Sequence, residues 1–278
     1  MAVPSTISFP GLGIETGFTV NPIAFTIPLI NKEVAWYGII ITTGIILAWI
    51  YVMYRGKFEK VKEEDVLDMG IWVLIFGIIG ARLYYVIMKH ENYHSFMDVI
   101  ATWEGGLAIY GGIIGGGLAA VIVAKIKKLN PFKLLDMLGP AVFIGQIMGR
   151  WGNFTNAEAF GGITDLPWRM GINNVYYPET IYVHPTFLYE SLWNLVGFLL
   201  INWFYTKKKY NGQIILMYAT WYGLGRMFIE GLRSDSLYIG SLKVSQMVGL
   251  ISFVVGGILL IVFGILNKNR NNKKEVVE

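Results

Sequence analysis

The sequence predicts an all-α integral membrane protein of about seven transmembrane helices, with its N-terminus outside and its C-terminus in the cytoplasm. Three observations predict this. Of 278 residues, 54% are hydrophobic and only 15% charged, against about 25% charged in a soluble domain. Seven apolar stretches are each long enough to cross about 30 Å of hydrocarbon at 1.5 Å per residue. Lys and Arg are spread unevenly between alternate connections, and that bias sets orientation.

The stretches are 34–54, 66–88, 105–124, 132–152, 185–206, 212–231 and 242–266. The fourth is the least apolar, since it holds Asp136, Arg150 and four glycines. Fifteen of the twenty-three basic residues fall after spans one, three, five and seven, and five fall on the other side. Residues 1–33 form an external segment, 34–266 the transmembrane domain, and 267–278 a basic cytoplasmic tail. The tail is polar and is expected to be disordered. The longest external connection, about 153–184, carries turn signals at Gly161–Gly162, Pro167, Asn173–Asn174 and Pro178. Its length marks a functional loop.

Composition also excludes chemistry. There is no cysteine, so disulfides, thiolate metal sites and an enzyme thiol nucleophile are all absent. Any thiol must come from a substrate. Three histidines (His90, His94 and His184) do not suggest a metal centre. The opening MAVPSTISFPGLG lacks the basic and long apolar regions of a cleavable signal peptide. Span three has glycines at four-residue spacing (Gly111 with Gly115, Gly112 with Gly116), which is expected to serve close helix packing. It is not a phosphate-cradling loop, since no strand precedes it and no Lys-Ser/Thr follows. No nucleic-acid partner is indicated.

Charges inside spans cost roughly 2.5–3.5 kcal/mol each on insertion scales, and they tend to be functional. Helix rise sets their depth. Arg82, Arg150, Arg226 and Glu230 lie toward the outer ends of spans two, four and six. Tyr37, Tyr110 and Glu190 lie near the outer starts of spans one, three and five. Seven polar groups on six helices therefore share the outer half of the membrane. Asp136 lies nearer the cytoplasm. Arginine stays charged and grips phosphate through a planar fork, and phospholipid headgroups are the abundant phosphate at that depth.

Three constellations stand out. Tyr222, Arg226 and Glu230 recur every four residues and share one helix face. This is either a self-neutralising ion pair or a phosphate clamp with a carboxylate partner. Arg150, Asn153, Asn156 and Glu158 crowd a helix end more densely than capping requires. His184 and Pro185 open span five, and Glu190 follows at a depth where a charge needs a partner.

The stretch GRWGNFTNAEAFGG, residues 149–162, closely resembles the signature of the prolipoprotein diacylglyceryl transferase family. That signature reads Gly-Arg-x-Gly-Asn-x-x-Asn-x-Glu-x-x-Gly, and all seven fixed positions match. Trp36-Tyr37-Gly38, Trp103-Glu104-Gly105-Gly106, His184-Pro185 with Tyr189-Glu190, and Tyr222 with Arg226 and Glu230 are also similar, in the family's order. The resemblance covers roughly Val34 to Leu266. It implies a seven-helix catalytic domain in the bacterial cytoplasmic membrane, with no metal or other cofactor. It also implies a reaction, in which phosphatidylglycerol gives its diacylglyceryl group to the lipobox cysteine of a prolipoprotein signal peptide, forming a thioether and releasing glycerol 1-phosphate. By matching positions, Arg150 and Arg226 bind phosphate. Asn153, Glu158 and Gly161 fall on the signature site, and Tyr37, Asp136, Glu190, Tyr222 and Glu230 on supporting positions. One departure matters. Where many members have a histidine in span three, proposed as the base, GGLAIYGG has Tyr110. With an ordinary pKa near 10, a tyrosine is a poor base at neutral pH.

Chemistry must then supply a thiolate, stabilise a departing phosphate and bring two lipid-anchored substrates into line. Arg150 and Arg226 suit the second task, and Glu158 or Tyr110 the proton. A lipid or anion transporter using the same arginines is the rival reading. It would call for inverted repeats with broken helices at the midplane, and none is evident. A non-enzymatic assembly factor would not need arginines beside Asn and Glu at one depth.

Overall fold

The computed structural model describes residues 2–93, 95–102 and 105–275. His94 and the Trp103-Glu104 part of its run lie outside the described residues. In chain order the elements are β1 (Ser5–Phe9), β2 (Ile14–Val20), β3 (Ile23–Ile27), β4 (Lys32–Ala35), α1 (Trp36–Phe58), α2 (Glu63–Met88), α3 (Phe96–Ile100), α4 (Ile109–Ile126), α5 (Pro131–Thr155), β5 (Met170–Asn174), β6 (Tyr177–Val183), α6 (Thr186–Tyr205), α7 (Gln213–Leu232), β7 (Tyr238–Ile239), β8 (Leu242–Lys243) and α8 (Val244–Glu275).

Among the described residues, five helices (α1, α2, α4, α5 and α8) are long and apolar enough to cross a membrane. On α1, α2 and α8 large apolar side chains point outward, Ile46, Ile50, Trp72, Ile79, Ile251 and Ile258 among them. A helix that is apolar on its exposed face needs lipid as solvent. The helices α6 and α7 have twenty residues each, about 30 Å of rise. Their apolarity is diluted because their buried faces carry Glu190, Asn194 and Glu230.

The chain divides into two units, one of residues Trp49–Leu138 and one of those up to Ala48 with those from Gly139 onward. In the first, α2 and α4 pack through glycine. A Cβ on Gly80 would lie 2.4 Å from Gly111 O, and one on Gly111 2.2 Å from Gly80 O. Only a residue without a side chain allows that approach, as the glycine spacing predicts. Three acidic residues (Glu63, Glu64 and Asp65) open α2, and Arg55 and Lys57 close α1. Both placements suit the helix dipole. The guanidinium of Arg82 is engaged by backbone. Its Nε donates to Val99 O (2.8 Å), Nη1 to Gly105 O (2.6 Å) and Gly106 O (3.1 Å), and Nη2 to Asp98 O (2.6 Å).

In the other unit, α7 and α8 cross at Gly223 and Gly249, each of whose missing Cβ would come within 3 Å of the other's carbonyl oxygen. Between α6 and α7 the indoles of Trp193 and Trp221 stack with centroids 4.5 Å apart. Each indole lies over a glycine of the opposite helix, Trp193 on Gly225 and Trp221 on Gly197. A core of Phe143, Ile201, Tyr205 and Ile214 continues beyond them.

Strands depart from the all-α expectation, and the tail departs from the expected disorder. Strands β1 and β2 of the N-terminal segment and β5 and β6 of the 153–184 connection form one antiparallel sheet, in the order β2-β1-β5-β6. Ile7 pairs with Ile172, and both are fully buried with Met170, Val183 and Phe187. The short strand β1 forms a local hairpin with β2, but its other partner β5 is more than 160 residues away, so nothing local announces that second pairing. The β5–β6 turn is held by Asn174, whose Oδ1 accepts from the N–H of Tyr176 (2.9 Å) and Tyr177 (3.0 Å), as an Asx turn does. The tail also differs, since α8 continues to Glu275. Lys and Glu are good helix formers, and a helix already nucleated in the bundle extends at little cost.

Candidate active site

The exit from α5 builds half of the site. Arg150 and Asn153 are three residues apart on one face, and Arg150 Nη1 donates to Asn153 Oδ1 (3.0 Å). Beyond Thr155 the chain reverses sharply. Ala157 (φ 49°) and Ala159 (φ 57°) both adopt the left-handed conformation, and Glu158 sits between them. Its Oε1 accepts from Asn153 Nδ2 (3.0 Å) and Asn156 Nδ2 (3.2 Å). The ring of Tyr37 covers Gly152, where a Cβ would lie 2.9 Å from Tyr37 Cδ2.

Gly161 is where three segments meet. Its N–H donates to His184 O (2.9 Å), and the N–H of Gly162 donates to Leu232 O (2.8 Å). A Cβ on Gly161 would fall 2.6 Å from His184 Cβ and 2.8 Å from Leu232 O. Thr186 Oγ1 donates to Ala159 O (2.7 Å). The signature loop is thereby tied to the start of α6 and the end of α7.

Those two helices supply the other half. Glu190, in the second turn of α6, is 3% exposed and bridges both arginines. Its Oε2 lies 2.9 Å from Arg150 Nη2 and 3.0 Å from Arg226 Nη1. The two guanidinium tips are therefore no more than about 6 Å apart. Arg226 Nη2 pairs in turn with Glu230, which is 1% exposed. Buried charges this close must be paired, because removing one partner typically costs about 3–5 kcal/mol. Arg233 extends the series, 3.9 Å from Glu230 and bonded to both oxygens of Asp235 (2.9 and 2.8 Å). Burial pushes the Asp235 carboxyl up, but Arg233 outweighs it and holds the group below its ordinary value. Lys243 Nζ caps α7 by donating to the carbonyls of Glu230 (2.9 Å), Gly231 (3.2 Å) and Arg233 (2.7 Å).

The structure thus gathers Arg150, Asn153, Asn156, Glu158, Glu190, Arg226 and Glu230 into one connected network, with Tyr37 and Gly161 against it. Tyr222 lies one turn from Arg226 and stacks on Tyr218 at 5.8 Å. Three residues named from sequence belong to the other unit. Tyr110 packs near Tyr84 with centroids 6.4 Å apart. Asp136 is fully buried, about 21 Å along α5 from Arg150. Arg82 directs its donors to the backbone carbonyls of Asp98, Val99, Gly105 and Gly106. An arginine facing backbone carbonyls looks the same in sequence as one facing phosphate. Sequence reading missed Arg233 and Asp235, which count there only as loop charges. The three-residue step from Glu230 to Arg233 was the available signal.

Fold and site together define a helical membrane-type protein with a buried arginine–carboxylate network at one end of its bundle. The family model for prolipoprotein diacylglyceryl transferase matches residues 22–262. This chain belongs to that family. Among its relatives are proteins named phosphatidylglycerol–prolipoprotein diacylglyceryl transferase. The one from Acaryochloris marina is 45% identical over 80% of this chain and 84% of its own. The Finegoldia magna protein is 45% identical over 87% and 94%. The Clostridioides difficile protein is 44% identical over 92% and 100%.

Proposed function

We propose that this chain transfers the diacylglyceryl group of phosphatidylglycerol to the lipobox cysteine of a prolipoprotein signal peptide. The cysteine sulfur attacks the glycerol carbon that bears the phosphate. A C–S bond forms, the C–O bond to phosphate breaks, and glycerol 1-phosphate departs with the electron pair. Family membership and the names of the relatives support the activity. The observation that carries the site is the sharing of Glu190 Oε2 by Arg150 and Arg226. Guanidiniums that converge on one carboxylate oxygen can converge on one phosphate, and they stabilise charge as it develops there.

Glu158 and Tyr110 are the two candidates to take the thiol proton. Two asparagine amides orient the carboxylate of Glu158, which supports it. Tyr37, Asn153, Asn156, Gly161, Glu190, Tyr222 and Glu230 hold the arginines and the loop in place. Asp136 supports α5 from its other end. Arg82 belongs to the proposed substrate-binding set, its guanidinium positioned by the carbonyls of Asp98, Val99, Gly105 and Gly106. The reading includes seven crossings in the bacterial cytoplasmic membrane, with α6 and α7 completing the five apolar helices, the C-terminus cytoplasmic and the site toward the outer face. The distribution of Lys and Arg supports that orientation.

Purified protein with labelled phosphatidylglycerol and a lipobox peptide tests the reaction. Thioether should form with the Cys peptide and not with its Ser counterpart. Lipid movement across a vesicle without thioether would favour the rival, a lipid or anion transporter.

A further inference from the structure

Gln146 on α5 and Asn194 on α6 lie one turn from the ion-pair network, on the faces that the two helices turn toward each other. The helices touch at two levels. At one, Arg150 Nη2 meets Glu190 (3.0 Å). At the other, a Cβ on Gly197 would lie 2.9 Å from Phe143 Cζ. The order is reversed, so the helices run antiparallel here. Gln146 is three residues after Phe143 and four before Arg150. Asn194 is four after Glu190 and three before Gly197. Such spacings keep all three positions of each helix on one face. The two amides therefore share a level between the two contacts.

Their bonding is incomplete. Gln146 Nε2 donates to Tyr218 Oη (2.9 Å). Gln146 Oε1 and both amide atoms of Asn194 are buried with no hydrogen-bond partner among the described residues. Asn194 is 0% exposed. Buried polar atoms without partners are rare, and each calls for an explanation.

We infer that Gln146 and Asn194 form a hydroxyl-recognition subsite for the alcohol headgroup of the phospholipid, beside the arginines that hold its phosphate. This rests on the transferase reading above. Two amide oxygens and one amide NH₂ ask for a ligand that both donates and accepts. A vicinal diol does both. An ammonium headgroup only donates, and a quaternary ammonium does neither. The amides lie about one helical turn, ~5.4 Å, from the Arg150–Glu190 level. A three-carbon alcohol spans that distance from its phosphate.

The test compares a short-chain phosphatidylglycerol with the same lipid carrying a propanol headgroup, which lacks both free hydroxyls. Binding of each to purified wild type, Asn194→Leu and Gln146→Met is measured by titration calorimetry. Wild type should prefer the glycerol headgroup by about tenfold. Each variant should lose that preference through weaker binding of the glycerol lipid, with propanol-lipid affinity unchanged. Removing the unpartnered buried amide in Asn194→Leu should leave the melting temperature equal or higher, whereas Gln146→Met also removes the donor to Tyr218 Oη and should lower it. If one variant does not fold, the other carries the comparison. Preference surviving in the folded variants, or absent from wild type, would overturn the subsite and leave the amides as partners of a buried water. A wild type that shows the preference but makes no thioether would sink the transferase reading and leave the subsite standing.

Discussion

Trp193 and Trp221 join α6 to α7 by a reciprocal pair of bonds. The indole N–H of Trp193 donates to the carbonyl of Trp221 (3.0 Å), and that of Trp221 donates to the carbonyl of Trp193 (2.9 Å). The exchange fixes the helix register, and Glu190 lies three residues from Trp193 as Arg226 lies five from Trp221. Gly225→Ala would place a Cβ 2.1 Å from Trp193 Nε1. Overpacking of this kind costs about 1–3 kcal/mol. The expected outcome is a lower melting temperature in detergent with a parallel loss of transfer. An unchanged melting temperature would count against the clasp.

Arg226→Lys keeps the charge but not the fork. A single ammonium does not reproduce the two-nitrogen reach from Glu190 to Glu230. Removing one donor from such a site costs about 10²–10³ in rate. Transfer from labelled lipid should fall by about that factor, with membrane insertion unchanged on fractionation. Near-normal rates would remove the arginine from the site.

Glu158 is held between two alanines in a conformation that costs an L-residue about 1–2 kcal/mol. Ala159→Gly should relieve part of that and raise the melting temperature slightly, whereas Ala159→Val should lower it. Equal effects of the two substitutions would mean that the loop does not hold this conformation.

His184 is partly buried, and burial lowers its pKa from the ordinary 6.5. The folded state therefore binds its proton less readily than the unfolded chain. Its contribution is fully present above pH 6.5 and is lost as pH falls from there through the folded value. The chain has three histidines, so this window is little crowded. The fall in melting temperature between pH 7.5 and 5.5, read by differential scanning fluorimetry, should be smaller in His184→Gln. An equal fall in both proteins would exclude His184 as its source.

Much of the helical part was legible because spans and buried charges are written locally. Apolar runs mark the long helices within a few residues, except that α8 runs on past 266 to Glu275. The four-residue rhythm of Tyr222, Arg226 and Glu230 places them on one face before any coordinates are seen. The signature run gathers Arg150, Asn153, Asn156 and Glu158 because a helix end and a turn hold them together. Long-range choices were not legible. Whether Arg82 turns to an anion or to the carbonyls of Gly105 and Gly106 depends on a fold-back twenty-three and twenty-four residues away. The β5 partner of Ile7 is Ile172, and nothing near either residue names the other.

That pairing sets an order of assembly. Ile7 and its hairpin neighbour Phe18 are made early, but the neighbour of Ile7 on β5 is not translated until more than 160 residues later. At about 5–20 residues per second, the wait is on the order of 10–30 s. By then α1, α2, α4 and α5 have all been synthesised. The strand at the very beginning of the chain is thus a latch that closes late in biogenesis, over a loop whose ribosomal turn has only just come.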